Sequence, residues 1–155
     1  MQEIERKFLV KNNDYKAQAT CQKKIVQGFL STHPERTVRV RIKGDQGFLT
    51  IKGLSNETGT TRFEWEKEIP LSEAETLLRL CENPIIDKTR YNIPLGRHLF
   101  EVDVFTGNNA GLVIAEVELS SEEDTYTAPA WLGKEVTGDI KYYNSSLIQK
   151  PFKDW

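Results

Sequence analysis

Acidic and basic side chains fall at every second position in several separate stretches of this chain. "EIERKF" sets Glu3, Glu5 and Lys7 in one row, and "RTVRVRIKG" does the same with Arg39, Arg41 and Lys43. Lys52 follows Thr50 in "FLTIKG", Glu64, Glu66 and Glu68 alternate in "RFEWEKEI", and Lys88 and Arg90 alternate in "DKTRY". "FEVDVF" and "VIAEVEL" add Glu101 with Asp103 and Glu116 with Glu118. The residues between them are mostly apolar, and a period of two is that of a β-strand. Guanidinium forks and ammonium groups suit phosphate oxygens. Clustered carboxylates suit hard divalent cations such as Mg²⁺ or Mn²⁺. A compact phosphate chain carrying its metal ions needs both kinds of group at once.

For any one strand the ordinary explanation is a solvated sheet face with cross-strand ion pairs. The set is harder to explain that way, because same-sign neighbours two residues apart repel and add little to folding. The alternative is a sheet closed on itself with its charged faces inward, a closure that alternation alone does not establish. About eight strands close into a barrel whose interior holds side chains or one small ligand. Such an interior holds water and ligand, since burying ions unpaired costs several kcal/mol each. The apolar faces then point outward, partly covered by helices.

The elements that would carry these rows are legible. Strands are predicted over 2–10, 24–31, 36–43, 47–53, 61–69, 85–93, 98–106 and 111–120, separated by "THPER", "KGDQG", "LSNETGT", "LGR" and "TGNNAG". These separators are short and rich in turn residues, as antiparallel hairpins require. In "LSEAETLLRLCENP", Ser72 and Glu75 predict a capping box, and Ala74, Leu77, Leu78 and Cys81 form an apolar stripe ended by Pro84. A weaker helix is expected from Asn13-Asp14 through "YKAQATC", with short helical pieces after Ser121 and from Asp139 to Lys150. Cys21 and Cys81 match no metal or redox spacing and read as small core residues in helical stretches. The chain reads as a single α+β domain over 1–155, dominated by strands. With 21 basic and 23 acidic residues, net charge −2, no bulk positive field exists to hold nucleic acid. No apolar run reaches membrane length and no signal pattern opens the chain, so a soluble, cytoplasmic protein is expected.

The same residues resemble the CYTH superfamily, the triphosphate tunnel metalloenzymes. The resemblance rests on Glu3-x-Glu5-x-Lys7 in "EIERKFLV". "QGFL", Arg39-x-Arg41, "TIK" ending at Lys52, "RFEWEKEI", "KTRY", "FEVDVF", "AEVEL" and "WLGKEVTGDIKYYN" then follow in family order. It implies a closed eight-stranded antiparallel β-barrel, a tunnel with a charged lumen and a few helices packed outside. It further implies that Lys7, Arg39, Arg41, Lys52, Lys88 and Arg90 bind a small-molecule triphosphate. Mg²⁺ or Mn²⁺ would be held by Glu3, Glu5, Glu116 and Glu118, with Glu64, Glu66 and Asp103 as further acidic positions and Glu101 beside them. One departure is Lys141 in "KYYN", where relatives often carry Arg. Lysine keeps the charge but loses the fork.

The expected reaction is metal-dependent hydrolysis of inorganic triphosphate, which needs positioning and charge stabilisation more than covalent chemistry. Lys88 is the expected general base, its pKa depressed by Arg90 on the same face, with a glutamate such as Glu5 acting through metal-bound water as the rival and Lys7 beside them stabilising charge. Action on an organic triphosphate, by an adenylate cyclase or a thiamine triphosphatase, and non-catalytic polyphosphate binding are the alternatives. No aromatic cluster is set aside for a base, which favours the inorganic substrate. His33 and His98 lack partner spacing and read as surface residues, and Ser145 and Ser146 lack a triad pattern. Trp65 is expected to pack under a helix, and Trp131 and Trp155 to pack or cap. An outer apolar surface larger than the helices can cover would favour a homodimer.

Overall fold

A computed structural model describes all 155 residues, Met1–Trp155. Nine strands are present: β1 Gln2–Val10, β2 Cys21–Ser31, β3 Thr37–Lys43, β4 Gln46–Ser55, β5 Thr61–Ile69, β6 Ile86–Leu95, β7 His98–Phe105, β8 Val113–Glu118 and β9 Leu132–Glu135. They pair antiparallel in the order β5-β4-β3-β2-β6-β7-β8-β1, and β1 returns to β5 to close an eight-stranded barrel. The closing seam has three registered pairs, Gln2↔Phe63, Glu3↔Arg62 and Ile4↔Thr61. Beyond it, β9 takes over the same edge of β1, opposite Phe8 and Val10. This ninth strand was not legible in "LGKE", which shows no apolar alternation.

The outer faces carry two apolar clusters. In one, Phe8, Ile93, Phe100, Val102, Ala115 and Val117 lie under Tyr15 and the fully buried Trp131. Tyr15 comes from the short helix α1, Tyr15–Gln18, whose Gln18 Oε1 accepts from the Trp131 indole at 3.1 Å. In the other, helix α2, Leu71–Leu78, lays Ala74, Leu77 and Leu78 on Val40, Ile42 and Leu49, with Cys81 beside them. Cys81 is a core residue as expected, but Cys21 opens β2 and lies in no helix. The Ser72–Glu75 capping box does not form: the helix starts at Leu71 after Pro70, which places Ser72 inside the first turn. Only a turn follows Ser121. Trp65 is half-buried and joins none of the apolar clusters.

Gly47 is where α2 comes down on the sheet. A Cβ there would lie 2.6 Å from Ala74 Cβ and 3.1 Å from the Ile69 carbonyl oxygen. Gly47→Ala should therefore cost about 1–3 kcal/mol by overpacking. Thermal melting checks this, and Ala74→Gly should restore part of the loss.

The interior differs from the expected one at one end. Phe29, Ile86, Phe105 and Ile114 continue the inward rows of Gln27, Lys88, Asp103 and Glu116, two residues further along their strands. They pack with Leu147 and Ile148 of helix α3, Asn144–Gln149. This helix is not outside the barrel; it fills that end. The charged lumen thus has an apolar floor, which hides bulky side chains that charged ones could not replace without a desolvation cost.

Candidate active site

The barrel interior holds a cavity of about 240 Å³. Its lining includes all six expected cations, Lys7, Arg39, Arg41, Lys52, Lys88 and Arg90, and the carboxylates Glu3, Glu5, Glu64, Glu66, Glu101, Glu116 and Glu118. Strand pairing brings them together. Lys7 faces Glu116 and Glu5 faces Glu118 across β1 and β8, Lys52 faces Glu64 across β4 and β5, and Arg90 faces Asp103 across β6 and β7.

Each cation meets an anion. Lys52 Nζ lies 2.6 Å from Glu3 Oε2 and 3.3 Å from Glu64 Oε2. Burial opposes its charge, but Glu5 and Glu3 raise its pKa. Arg39 and Arg41 converge on Glu66 Oε2 at 3.3 and 3.4 Å, where Thr50 also donates at 2.7 Å, and both leave a buried Nε–H without a partner. Burial, with Arg39 and Arg90 nearby, brings Arg41 down to about 10. Lys7 Nζ sits 3.4 Å from the Tyr142 carbonyl, 3.8 Å from Glu116 Oε2 and 5.2 Å from the centre of the Tyr143 ring.

Asp103, expected among the metal ligands, does other work. Arg90 donates Nε to its Oδ1 at 2.7 Å and Nη2 to its Oδ2 at 2.8 Å, and Lys88 Nζ lies 2.7 Å from Oδ2. With both oxygens taken and 1 % exposure, it holds the protein's own cations and is not on the cavity wall. Arg90 also donates to Glu101 at 3.0 Å and Glu116 at 3.2 Å. Lys88 is lowered to about 8, chiefly by burial; Asp103 opposes this, and Arg90, the expected cause, ranks behind.

The remaining carboxylates crowd one another. Burial, then Glu116 and Glu3, pushes Glu5 well up; burial, then Glu3, raises Glu64; and burial, then Glu3 and Glu64, raises Glu118. No three acidic, histidine or cysteine side chains converge on a ready-made cation position. Mg²⁺ is ordinarily held by one or two carboxylates, water and substrate phosphates, so hard oxygens that repel each other around an open cavity fit a cation arriving with its ligand.

Arg62, Lys43, Thr37, Asn144 and Ser145 also line the cavity. Arg62 shares the row of Glu64 and Glu66, so the period of two already pointed to it. Asn144 and Ser145 come from α3 and carried no such signal. Lys141 is exposed and stacks 4.5 Å from the Trp155 ring centre, away from the cavity. His33 is exposed as expected, but the His98 side chain is only 8 % exposed and contacts Asp124 at 3.0 Å.

The CYTH domain model matches residues 1–152. A protein of Acetivibrio thermocellus named inorganic triphosphatase is 46 % identical over 156 residues, covering 99 % of this chain and 97 % of that one. A Nitrosomonas europaea protein of the same name is 39 % identical, covering 95 % and 97 %. A solved structure of an inorganic triphosphatase aligns over 94 % of this chain and 93 % of its own, at 35 % identity and TM-score 0.65. With this match along nearly its whole length, the chain belongs to the CYTH domain family.

Proposed function

We propose that this chain hydrolyses inorganic triphosphate to pyrophosphate and phosphate in a divalent-metal-dependent reaction. The observation that carries the reading is the cavity wall: basic and acidic groups throughout, with Phe29 and Tyr143 its only apolar or aromatic members. Such a wall offers anchors for phosphate and little surface for a nucleobase or thiazole. The Acetivibrio and Nitrosomonas relatives carry the name inorganic triphosphatase, which supports this substrate.

Glu3, Glu5, Glu116 and Glu118, with Glu64, would hold Mg²⁺ or Mn²⁺, which would neutralise phosphate charge and keep the chain of phosphates in line. Arg39, Arg41, Lys52, Lys7 and Arg90 bind the phosphate oxygens, exchanging some contacts with carboxylates for contacts with substrate. The unpartnered Nε–H groups of Arg39 and Arg41 are donors in waiting. Lys88 Nζ accepts a proton from the attacking water as the new oxygen–phosphorus bond forms. The bond to the bridging oxygen breaks, and pyrophosphate leaves with that electron pair, its charge met by the arginines.

The test is product release from tripolyphosphate, ATP and thiamine triphosphate with Mg²⁺, Mn²⁺ or chelator. Orthophosphate and pyrophosphate from tripolyphosphate, abolished by chelator and strongly preferred over the other substrates, are expected. Cyclic AMP formed from ATP, or binding without turnover under every metal, would overturn the reading.

A further inference from the structure

Two amides, one of them buried, stand behind Lys88, and phosphate chemistry alone does not require them. Asn144 Oδ1 lies 3.0 Å from Lys88 Nζ and 2.9 Å from Gln27 Nε2. Lys88 is 1 % exposed and Gln27 fully buried, whereas Asn144 is partly open and on the cavity wall. The amide orientations follow from the lysine. An amine or ammonium donates, so the atom of Asn144 facing it is the oxygen, and the atom of Gln27 facing that oxygen is the NH₂ nitrogen.

We propose that Asn144 is a positioning residue for the triphosphatase reaction, fixing the direction of the Lys88 nitrogen, and that Gln27 locks the Asn144 amide in the required sense. The amine nitrogen has three positions beyond its carbon stem. Asp103 Oδ2 at 2.7 Å and Asn144 Oδ1 at 3.0 Å take two of them. The third is left for the cavity, where the water and the phosphate meet. A lone anchor at Asp103 would let the nitrogen turn about that contact, and loss of alignment costs rate more than affinity.

The choice of a neutral acceptor has its own reason. Aspartate at 144 would reproduce both contacts, but it would face an anionic substrate across the cavity and put a second anion on Lys88. The amide carbonyl orients the nitrogen without adding charge. Gln27 supplies the orientation from β2, on the side of the barrel away from the carboxylate cluster, where Ile86 and Arg41 are its cross-strand neighbours.

This inference rests on the triphosphatase reading, and the experiment separates the two. Steady-state kinetics on tripolyphosphate with Mg²⁺ are measured for the full chain and for Asn144→Ala, Asn144→Asp and Gln27→Leu, with melting temperatures alongside. A wild-type chain that releases no phosphate sinks the triphosphatase reading itself. With wild-type turnover in hand, Asn144→Ala should lower kcat about 10- to 100-fold, as for loss of one hydrogen bond to a charged group. Its KM should stay within about threefold of wild type, since ground-state binding is carried by the arginines. Gln27→Leu should lower kcat in the same direction by a smaller factor. Asn144→Asp should raise KM while melting near the wild-type temperature. Asn144→Ala with unchanged kcat, whether or not its melting temperature falls, overturns the proposal, as does a loss confined to KM. Asn144→Asp with wild-type kcat and KM overturns the neutral-acceptor argument. Should Asn144→Ala fail to fold, Gln27→Leu and Asn144→Asp decide alone.

Discussion

Lys88→Met should lower kcat on tripolyphosphate by about 10²- to 10⁴-fold, the usual worth of a positioned general base, without lowering the melting temperature at pH 7. Methionine fills a similar volume and leaves no anion stranded, because Arg90 still donates to both oxygens of Asp103. Burial brings the Lys88 pKa from 10.5 down to about 8, so the folded chain holds that proton less firmly than the unfolded chain does. The resulting destabilisation is fully present below pH 8 and is relieved as pH rises toward 10.5, on the order of 3 kcal/mol in all. Wild type should therefore gain stability relative to the methionine variant over that window. The same titration should appear in the rate: kcat/KM rises about tenfold per pH unit below pH 8 and then levels. Lys88→Arg keeps the charge but cannot act as a base, and should not restore turnover. Near-normal kcat with a raised KM in Lys88→Met would remove the base assignment.

Arg90→Met carries the second large effect, and here stability and activity fall together. One guanidinium serves Asp103, Glu101 and Glu116, and burial is outweighed so that the arginine is held firmly charged. Removing it strands buried carboxylates, at a cost of about 3–5 kcal/mol. For a chain of this size each kcal/mol moves the melting point by about 2–4 °C, so a fall on the order of 10 °C is expected. Adding Asp103→Asn should recover part of that loss, because the buried Asp103 carboxylate, left with Lys88 alone, is gone. Strict additivity in this double-mutant cycle would contradict the network. Activity should not return with stability, since the donor to phosphate is still missing.

The barrel and most of its lining were legible because the pattern has one physical cause. Period-two rows of charge put Glu3, Glu5, Lys7, Arg39, Arg41, Lys52, Lys88 and Arg90 on shared strand faces, and the resemblance to the CYTH superfamily turned those faces into a tunnel lining. Asp103 shows the limit of that logic. Alternation gives the face but not the depth, and at its depth the carboxylate is consumed by Lys88 and Arg90. His98 was misread because its partner, Asp124, arrives from a distant loop. The apolar floor escaped because Phe105 and Ile114 obey the same alternation as their charged neighbours, and only α3 explains why they face inward. Asn144 was invisible for the same reason: its neighbours come from strands more than fifty residues away.

The short seam between β1 and β5 has a consequence for how the barrel breathes. The other strand pairs around the barrel have five to eight rungs, whereas this one has three. Local opening costs least where the fewest rungs must separate. Glu3 belongs to one lip of that seam and Glu64 to the other, with Lys52 between them as a clasp. Opening there separates Glu3 from Glu64 and breaks the Lys52 clasp, so the barrel parts along a line that its own ion pairs already mark.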